Sequence, residues 1–184
     1  MGYVEVYNNT QALLWFGGLV MVILSLVTSS ARSNLNKYFM VVQSIMVLDI
    51  VHAALKVVKG NIIATIIQVA SRIAVVLWIL PRQKELLVWN FLMFTAWSLA
   101  EIIRYRYYVN KSNKILVWLR YNAFIVLYPI GILTGEMPLI YKDYKVYGGK
   151  FNLIALSLYI PGFPFLFIHM LKLRKKNTQA VKNE

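Results

Sequence analysis

The chain contains no cysteine, which removes disulfides, thiolate nucleophiles and cysteine metal ligands together and excludes cysteine-dependent phosphatase chemistry. Histidine is nearly absent, with His52 and His169 alone, and seven acidic residues stand against twenty Lys and Arg. A linker, a low-complexity stretch and a clear internal repeat are also missing, so no boundary for a second domain is visible. A net charge of +13 raises nucleic acid as a partner. The basic residues sit at the ends of apolar runs instead of forming one basic face, so orientation in a membrane is the better reading and no nucleic acid is expected.

What fills the chain is apolar: 59% hydrophobic residues, 14% aromatics and a mean hydropathy of +0.59 over 184 residues. A spanning helix needs roughly 17 to 25 such residues. Six stretches qualify, at about 11–28, 38–55, 62–80, 86–103, 115–134 and 151–171, separated by short polar segments. The expectation is an all-α polytopic membrane protein, a bundle of six transmembrane helices forming one domain over residues 1–184, with a basic tail at 172–184. No Lys or Arg precedes the first stretch, which therefore reads as a retained anchor and not as a signal peptide. With the N-terminus in the cytoplasm, that side carries eleven Lys and Arg residues outside the stretches and the other side seven. The positive-inside rule then favours both termini in the cytoplasm. The sequons at Asn8 and Asn110 would share that side and stay unmodified.

Polar residues within the apolar stretches are the functional signal, because a charge near the bilayer centre costs roughly 2.5 to 3.5 kcal/mol and is expected to face a protein interior. They concentrate in the middle four predicted helices: Gln43, Asp49 and His52; Gln68, Ser71 and Arg72; Trp97, Ser98, Glu101, Arg104 and Tyr105; Arg120, Tyr121, Asn122, Tyr128 and Glu136. The first and last helices read as walls, although the last carries Asn152, Tyr159 and His169. Helical spacing places Trp97, Glu101 and Arg104 on one stripe, and Gln68, Ser71 and Arg72 on another. Such stripes hold a bundle together by hydrogen bonds and ion pairs, Glu101 with Arg72 or Arg104 for instance, or they line a cavity. Asp49-x-x-His52 has the form of half a di-iron site, but His169 has no acidic neighbour on its helix and no metal is expected. In the fifth stretch a phenol, Tyr128, and an acid, Glu136, flank Pro129 and Gly131. A proline there kinks a helix and opens space beside it.

Three segments resemble the very-long-chain 3-hydroxyacyl-CoA dehydratases of the endoplasmic reticulum, a family once described as protein-tyrosine-phosphatase-like. They are Trp97-Ser98-x-x-Glu101-Ile102-Ile103-Arg104-Tyr105 with Tyr107-Tyr108, Leu119-Arg120-Tyr121 leading to Leu127-Tyr128-Pro129-x-Gly131, and Gln68-Val69-x-Ser71-Arg72. Tyr7-Asn8 and Leu48-Asp49-x-x-His52 match more weakly, the latter with Asp where the family commonly has Glu. The resemblance implies a six-helix enzyme of the endoplasmic reticulum membrane that dehydrates a 3-hydroxyacyl-CoA to the trans-2-enoyl-CoA, the third step of fatty-acid elongation. It implies Tyr128 and Glu136 as the catalytic pair, with Glu136 taking the C2 proton and Tyr128 donating to the leaving hydroxyl, or the reverse. Arg72, Gln68, Glu101, Arg104, Arg120 and Tyr121 then support the site. Lys56, Lys59, Arg106, Lys111 and Lys114 are candidates for the CoA phosphates or for lipid headgroups. Elimination of water moves no electrons, so no cofactor is implied, and the condensing enzyme and reductases of the cycle become expected partners.

One departure stands out. The family pattern places the Glu seven residues after the Tyr, whereas here it follows by eight. At about 100° per residue, seven positions return a side chain to within ~20° of its start and eight overshoot by ~80°. A π-bulge or a break between Pro129 and Glu136 is therefore expected to absorb the extra residue. The rival readings are a family member that has lost activity through the insertion and serves as a scaffold, and a small transporter.

Overall fold

The computed structural model describes residues 2–58, 61–83 and 88–182, with side chains to 179, and every regular element among them is helical. In chain order these are α1 (Tyr3–Val27), α2 (Ser29–Ile45), α3 (Val47–Ala54), α4 (Ile62–Ala74), α5 (Val88–Val109), α6 (Lys114–Asn122), α7 (Phe124–Gly131), α8 (Met137–Tyr147) and α9 (Lys150–Lys182). Two π-turns interrupt them, Val75–Ile79 after α4 and Ile132–Glu136 between α7 and α8. Local chemistry sets most boundaries. Asn61 caps α4 by accepting from the backbone N–H groups of Ile63 (3.0 Å) and Ala64 (3.2 Å), and Asn113 caps α6 through Ile115 (3.0 Å) and Leu116 (3.1 Å). Gly148 and Gly149, at φ 66° and 106°, make the turn from α8 to α9 in a region that only glycine enters without strain.

Five of the helical runs are long and apolar enough to cross a membrane: Tyr3–Val27, Ser29–Ala54, Ile62–Arg82, Phe124–Tyr147 and Lys150–Gln179. Their outer surfaces bear Leu13, Val27, Leu158 and Ile160, all more than half exposed, which is ordinary only when the solvent is hydrocarbon. α5 is as long, at 22 residues, but Glu101, Arg104 and Arg106 lower its hydropathy. Its Glu101 and Arg104 point inward, where their charges are matched.

Several expected boundaries move. The segment from Ser29 to Lys37, a polar separator by composition, is the first half of α2, and the predicted 38–55 helix is the second half of α2 and α3 joined by a bend at Met46. The predicted 115–134 span is displaced to Phe124–Tyr147, because no glycine stops the chain between Gly135 and Gly148. The 172–184 tail is helical as far as Lys182. Charged residues can extend a helix past the hydrocarbon, so their onset marks the membrane edge and not the helix end.

The core forms where α1 and α2 pack on α5. Trp15, Phe39, Phe94 and Trp97 are buried there, with the Phe39 and Phe94 rings stacked at 3.9 Å and 4°. The run from α7 through α8 lies along the next face of α5, and its approach depends on glycine. A Cβ on Gly135 would stand 2.7 Å from the Met93 Cβ and 3.0 Å from its Cα. α9 closes the bundle. Tyr3 Oη lies 2.9 Å from His52 Nε2, and Arg106 donates to Asn9 Oδ1 at 3.3 Å, so the start of α1 and the ends of α3 and α5 share one end of the bundle. Arg174 on α9 donates to Asn122 on α6 at 3.0 Å.

Gly135→Ala is expected to cost about 1–3 kcal/mol by overpacking, read as a lowered Tm of the detergent-purified protein. Gly162→Ala, where a Cβ meets nothing within 4 Å, is the control and should melt like the parent. Equal melting of both variants would contradict the close approach.

Candidate active site

Between α4, α5, α7, the second π-turn and α9 lies a small recess of about 20 Å³, lined by Gln68, Ser71, Arg72, Trp97, Tyr128, Gly131, Ile132, Glu136 and Leu166. The π-turn occupies the position where the spacing argument required an interruption. Pro129 cannot donate a backbone hydrogen bond, and the wider turn at Ile132–Glu136 takes up one residue. As a result Tyr128 and Glu136 line the same recess despite their eight-residue separation.

Glu136 is almost fully buried, and each of its oxygens is taken by a neutral donor. Trp97 Nε1 donates to Oε1 at 2.8 Å and the Tyr159 hydroxyl donates to Oε2 at 2.5 Å. The Tyr128 hydroxyl is buried too, yet it has no hydrogen-bond partner among the described residues. Its ring stacks on Phe163 at 5.2 Å and 5° and on Phe167 at 6.2 Å and 11°. An unpaired buried hydroxyl costs about 1–3 kcal/mol, so a group held this way is suited to a ligand that completes the bond.

Behind the recess runs a chain of charges. Arg72 Nη1 donates to Glu101 Oε1 at 2.6 Å while its guanidinium lies 4.9 Å over the Trp97 ring, and Gln68 donates to the same oxygen at 3.1 Å. The other Glu101 oxygen pairs with Arg104 Nε at 2.6 Å. Arg104 Nη2 continues to Asp49 Oδ2 at 2.5 Å, and Asp49 also accepts from Tyr105 (2.7 Å) and Tyr7 (2.8 Å). Asp49 and His52 are thus committed to Arg104 and Tyr3, not to each other.

Of the residues singled out from the sequence, Tyr128, Glu136, Arg72 and Gln68 line the recess, while Glu101 and Arg104 act one and two contacts behind it. Arg120 and Tyr121 lie elsewhere, on α6. Tyr121 meets the Tyr107 hydroxyl at 3.2 Å and Arg120 sits 6.0 Å over the Tyr108 ring. They precede Tyr128 in sequence by eight and seven residues, and the turn at Ala123 separates α6 from α7. Lys56, Arg106, Lys111 and Lys114 are exposed, around the α3–α4 and α5–α6 connections; Lys59 falls outside the described residues. The outer helices are not plain walls. α1 supplies Tyr7 to Asp49, and α9 supplies Tyr159 to Glu136. A tyrosine on an apolar helix carries no sign in the sequence of whether it faces lipid or the interior, so Tyr159 was visible only as a polar residue.

The family described as "Protein tyrosine phosphatase-like protein, PTPLA" matches residues 43–180. Very-long-chain (3R)-3-hydroxyacyl-CoA dehydratase 1 of Mus musculus is 34% identical over 162 residues, covering 73% of this chain and 56% of the mouse protein. The probable very-long-chain (3R)-3-hydroxyacyl-CoA dehydratase of Schizosaccharomyces pombe is 31% identical over 192 residues, 95% of this chain and 91% of its own length. The rice protein PASTICCINO 2B, a dehydratase of the same name, is 30% identical over 210 residues, 98% and 94% of the two chains. The chain therefore spans little more than half of the mouse relative and nearly all of the yeast and rice ones. No solved structure matches.

Removing one member of a buried charge network leaves its partners uncompensated, at about 3–5 kcal/mol. Glu101→Gln faces two guanidinium groups and should show that loss in denaturant unfolding in detergent. Arg120→Met, on α6, should stay within about 1 kcal/mol of the parent. A Glu101→Gln protein as stable as the parent would remove the network from the account.

Proposed function

This chain belongs to the PTPLA family of protein tyrosine phosphatase-like proteins, and on that basis we propose that it is a lyase. It removes water from a long- or very-long-chain 3-hydroxyacyl-CoA to give the trans-2-enoyl-CoA, the third step of the fatty-acid elongation cycle. The observation that carries this reading is the pair of buried groups in one recess, a carboxylate held by two donors and a phenol with none.

The elimination needs a base at C2, an acid at C3 and stabilisation of charge on the thioester oxygen. Glu136 accepts the C2 proton. The electrons of the C2–H bond form the C2–C3 double bond, and the C3–O bond breaks toward oxygen. Tyr128 supplies the proton that turns the departing hydroxyl into water, and the Glu136 proton then returns to the phenolate, so no proton or electron is gained or lost. Arg72 and Gln68, on the recess wall, face the developing negative charge, while Glu101 and Arg104 hold Arg72 in place. The π-turn favours an active site over an inert scaffold, because it offsets the inserted residue.

The acyl chain leaves the recess between helices and the CoA head lies at the end of the bundle that carries Lys56, Arg106, Lys111 and Lys114. This reading makes α5 the sixth crossing of a one-domain bundle over residues 1–184. Both termini face the cytoplasm, the membrane is the endoplasmic reticulum, and the condensing enzyme and reductases of the cycle are the partners.

Mass spectrometry of purified protein given a long-chain 3-hydroxyacyl-CoA should detect the trans-2-enoyl-CoA. Tyr128→Phe and Glu136→Gln should each lower turnover by roughly 10²- to 10⁴-fold. Parental rates in both variants would exclude the scheme.

A further inference from the structure

α9 meets the α6–α8 run through side-chain hydrogen bonds at three heights. Asn152 donates to Asp143 at 2.8 Å near its start and Arg174 donates to Asn122 at 3.0 Å near its end. Between them the Tyr159 hydroxyl donates to Glu136 Oε2 at 2.5 Å. The outer two contacts join the helix to that run away from the recess. The middle one ends on a carboxylate that lines the recess, and a phenylalanine would fill the same space.

Charge balance makes that hydroxyl consequential. The two guanidinium groups of the buried network, Arg72 and Arg104, are already paired with Glu101 and Asp49. Glu136 is a further carboxylate with no ion pair among the described residues, and its oxygens rely on the Trp97 indole and the Tyr159 phenol. Each oxygen keeps one lone-pair site after those bonds form. With both outer sites occupied, the remaining ones are left for the recess.

We propose that Tyr159 is a positioning residue for Glu136: it fixes Oε2 from the side of α9 while Trp97 fixes Oε1 from α5, so that the carboxylate presents a free lone pair to the C2 proton of a 3-hydroxyacyl thioester. This rests on the reading of Glu136 as the base. It gives α9 a part in the chemistry and makes the seating of that helix a condition for turnover.

The test is Tyr159→Phe, which keeps the ring, beside Arg174→Met, which removes an outer contact of α9 and leaves the recess untouched. A charge-assisted hydrogen bond of this kind is worth roughly ten- to hundredfold in rate. Tyr159→Phe should lose that much kcat with KM within about twofold of the parent, and its Tm should fall by only a few degrees, since Oε2 loses its donor. Arg174→Met should retain parental kcat. Labelling of Glu136 by dicyclohexylcarbodiimide, mapped by mass spectrometry, supplies a readout independent of turnover and should be faster in Tyr159→Phe, whose Oε2 is free. Unchanged kcat and labelling in Tyr159→Phe would overturn the proposal, as would an equal loss in Arg174→Met. If the parent shows no turnover, faster labelling in Tyr159→Phe upholds the positioning role and counts against the dehydratase reading, whereas unchanged labelling overturns the positioning role itself.

Discussion

Glu101 is buried between Arg72 on α4 and Arg104 on α5, and much of the bundle is arranged around keeping those charges paired in a medium that cannot solvate them. Arg104 carries the pairing on to Asp49 on α3, and Tyr7 on α1 completes the shell around Asp49. Two carboxylates and two guanidinium groups thus tie three helices together with no net charge, and the Tyr7 hydroxyl brings in a fourth. An arrangement of this kind resists sliding in a way that apolar packing between lipid-facing helices does not, because a one-turn shift would strand a charge in hydrocarbon.

That balance leaves Glu136 apart. Its oxygens are held by an indole and a phenol, and Arg72, the cation on the wall of its recess, is already engaged by Glu101. The geometry near it is built from irregular backbone. Pro129 and the π-turn at Ile132–Glu136 bring an acid and a phenol eight residues apart onto one recess, and the other π-turn, Val75–Ile79, begins three residues after Arg72. The widened turn at Ile132–Glu136 brings both groups to the recess where a regular helix would separate them. Gly135 lets the π-turn come into contact with α5, whereas a Cβ on Gly131 would meet the Trp97 ring at an ordinary 3.5 Å.

Much of this was legible in the residues. The apolar runs announced a membrane bundle, the polar stripe Trp97, Glu101 and Arg104 announced an inward face of α5, and the eight-residue interval announced a disturbed helix before Glu136. Helix ends were not legible, because Ser29 to Lys37 and the segment past Ile140 are polar enough to read as loops yet continue α2 and α8 beyond the apolar run. Arg120 and Tyr121 were grouped with Tyr128 by adjacency, and the turn at Ala123 undoes that grouping. Tyr7 and Tyr159 were legible as polar residues but not as partners of the buried carboxylates. An aromatic residue on a lipid-facing helix gives no clue to its direction, and only the packing of α1 and α9 reveals that their hydroxyls end on buried carboxylates.

The central claim is that one recess removes a C2 proton and a C3 hydroxyl from the same substrate. The direct measurement is mass spectrometry of the product formed by the purified protein from a 3-hydroxyacyl-CoA deuterated at both C2 positions. The account predicts a trans-2-enoyl-CoA that keeps one of the two deuterons, with turnover slowed relative to the unlabelled substrate. A folded protein that yields no enoyl product at any chain length, or a product that retains both deuterons, would contradict it.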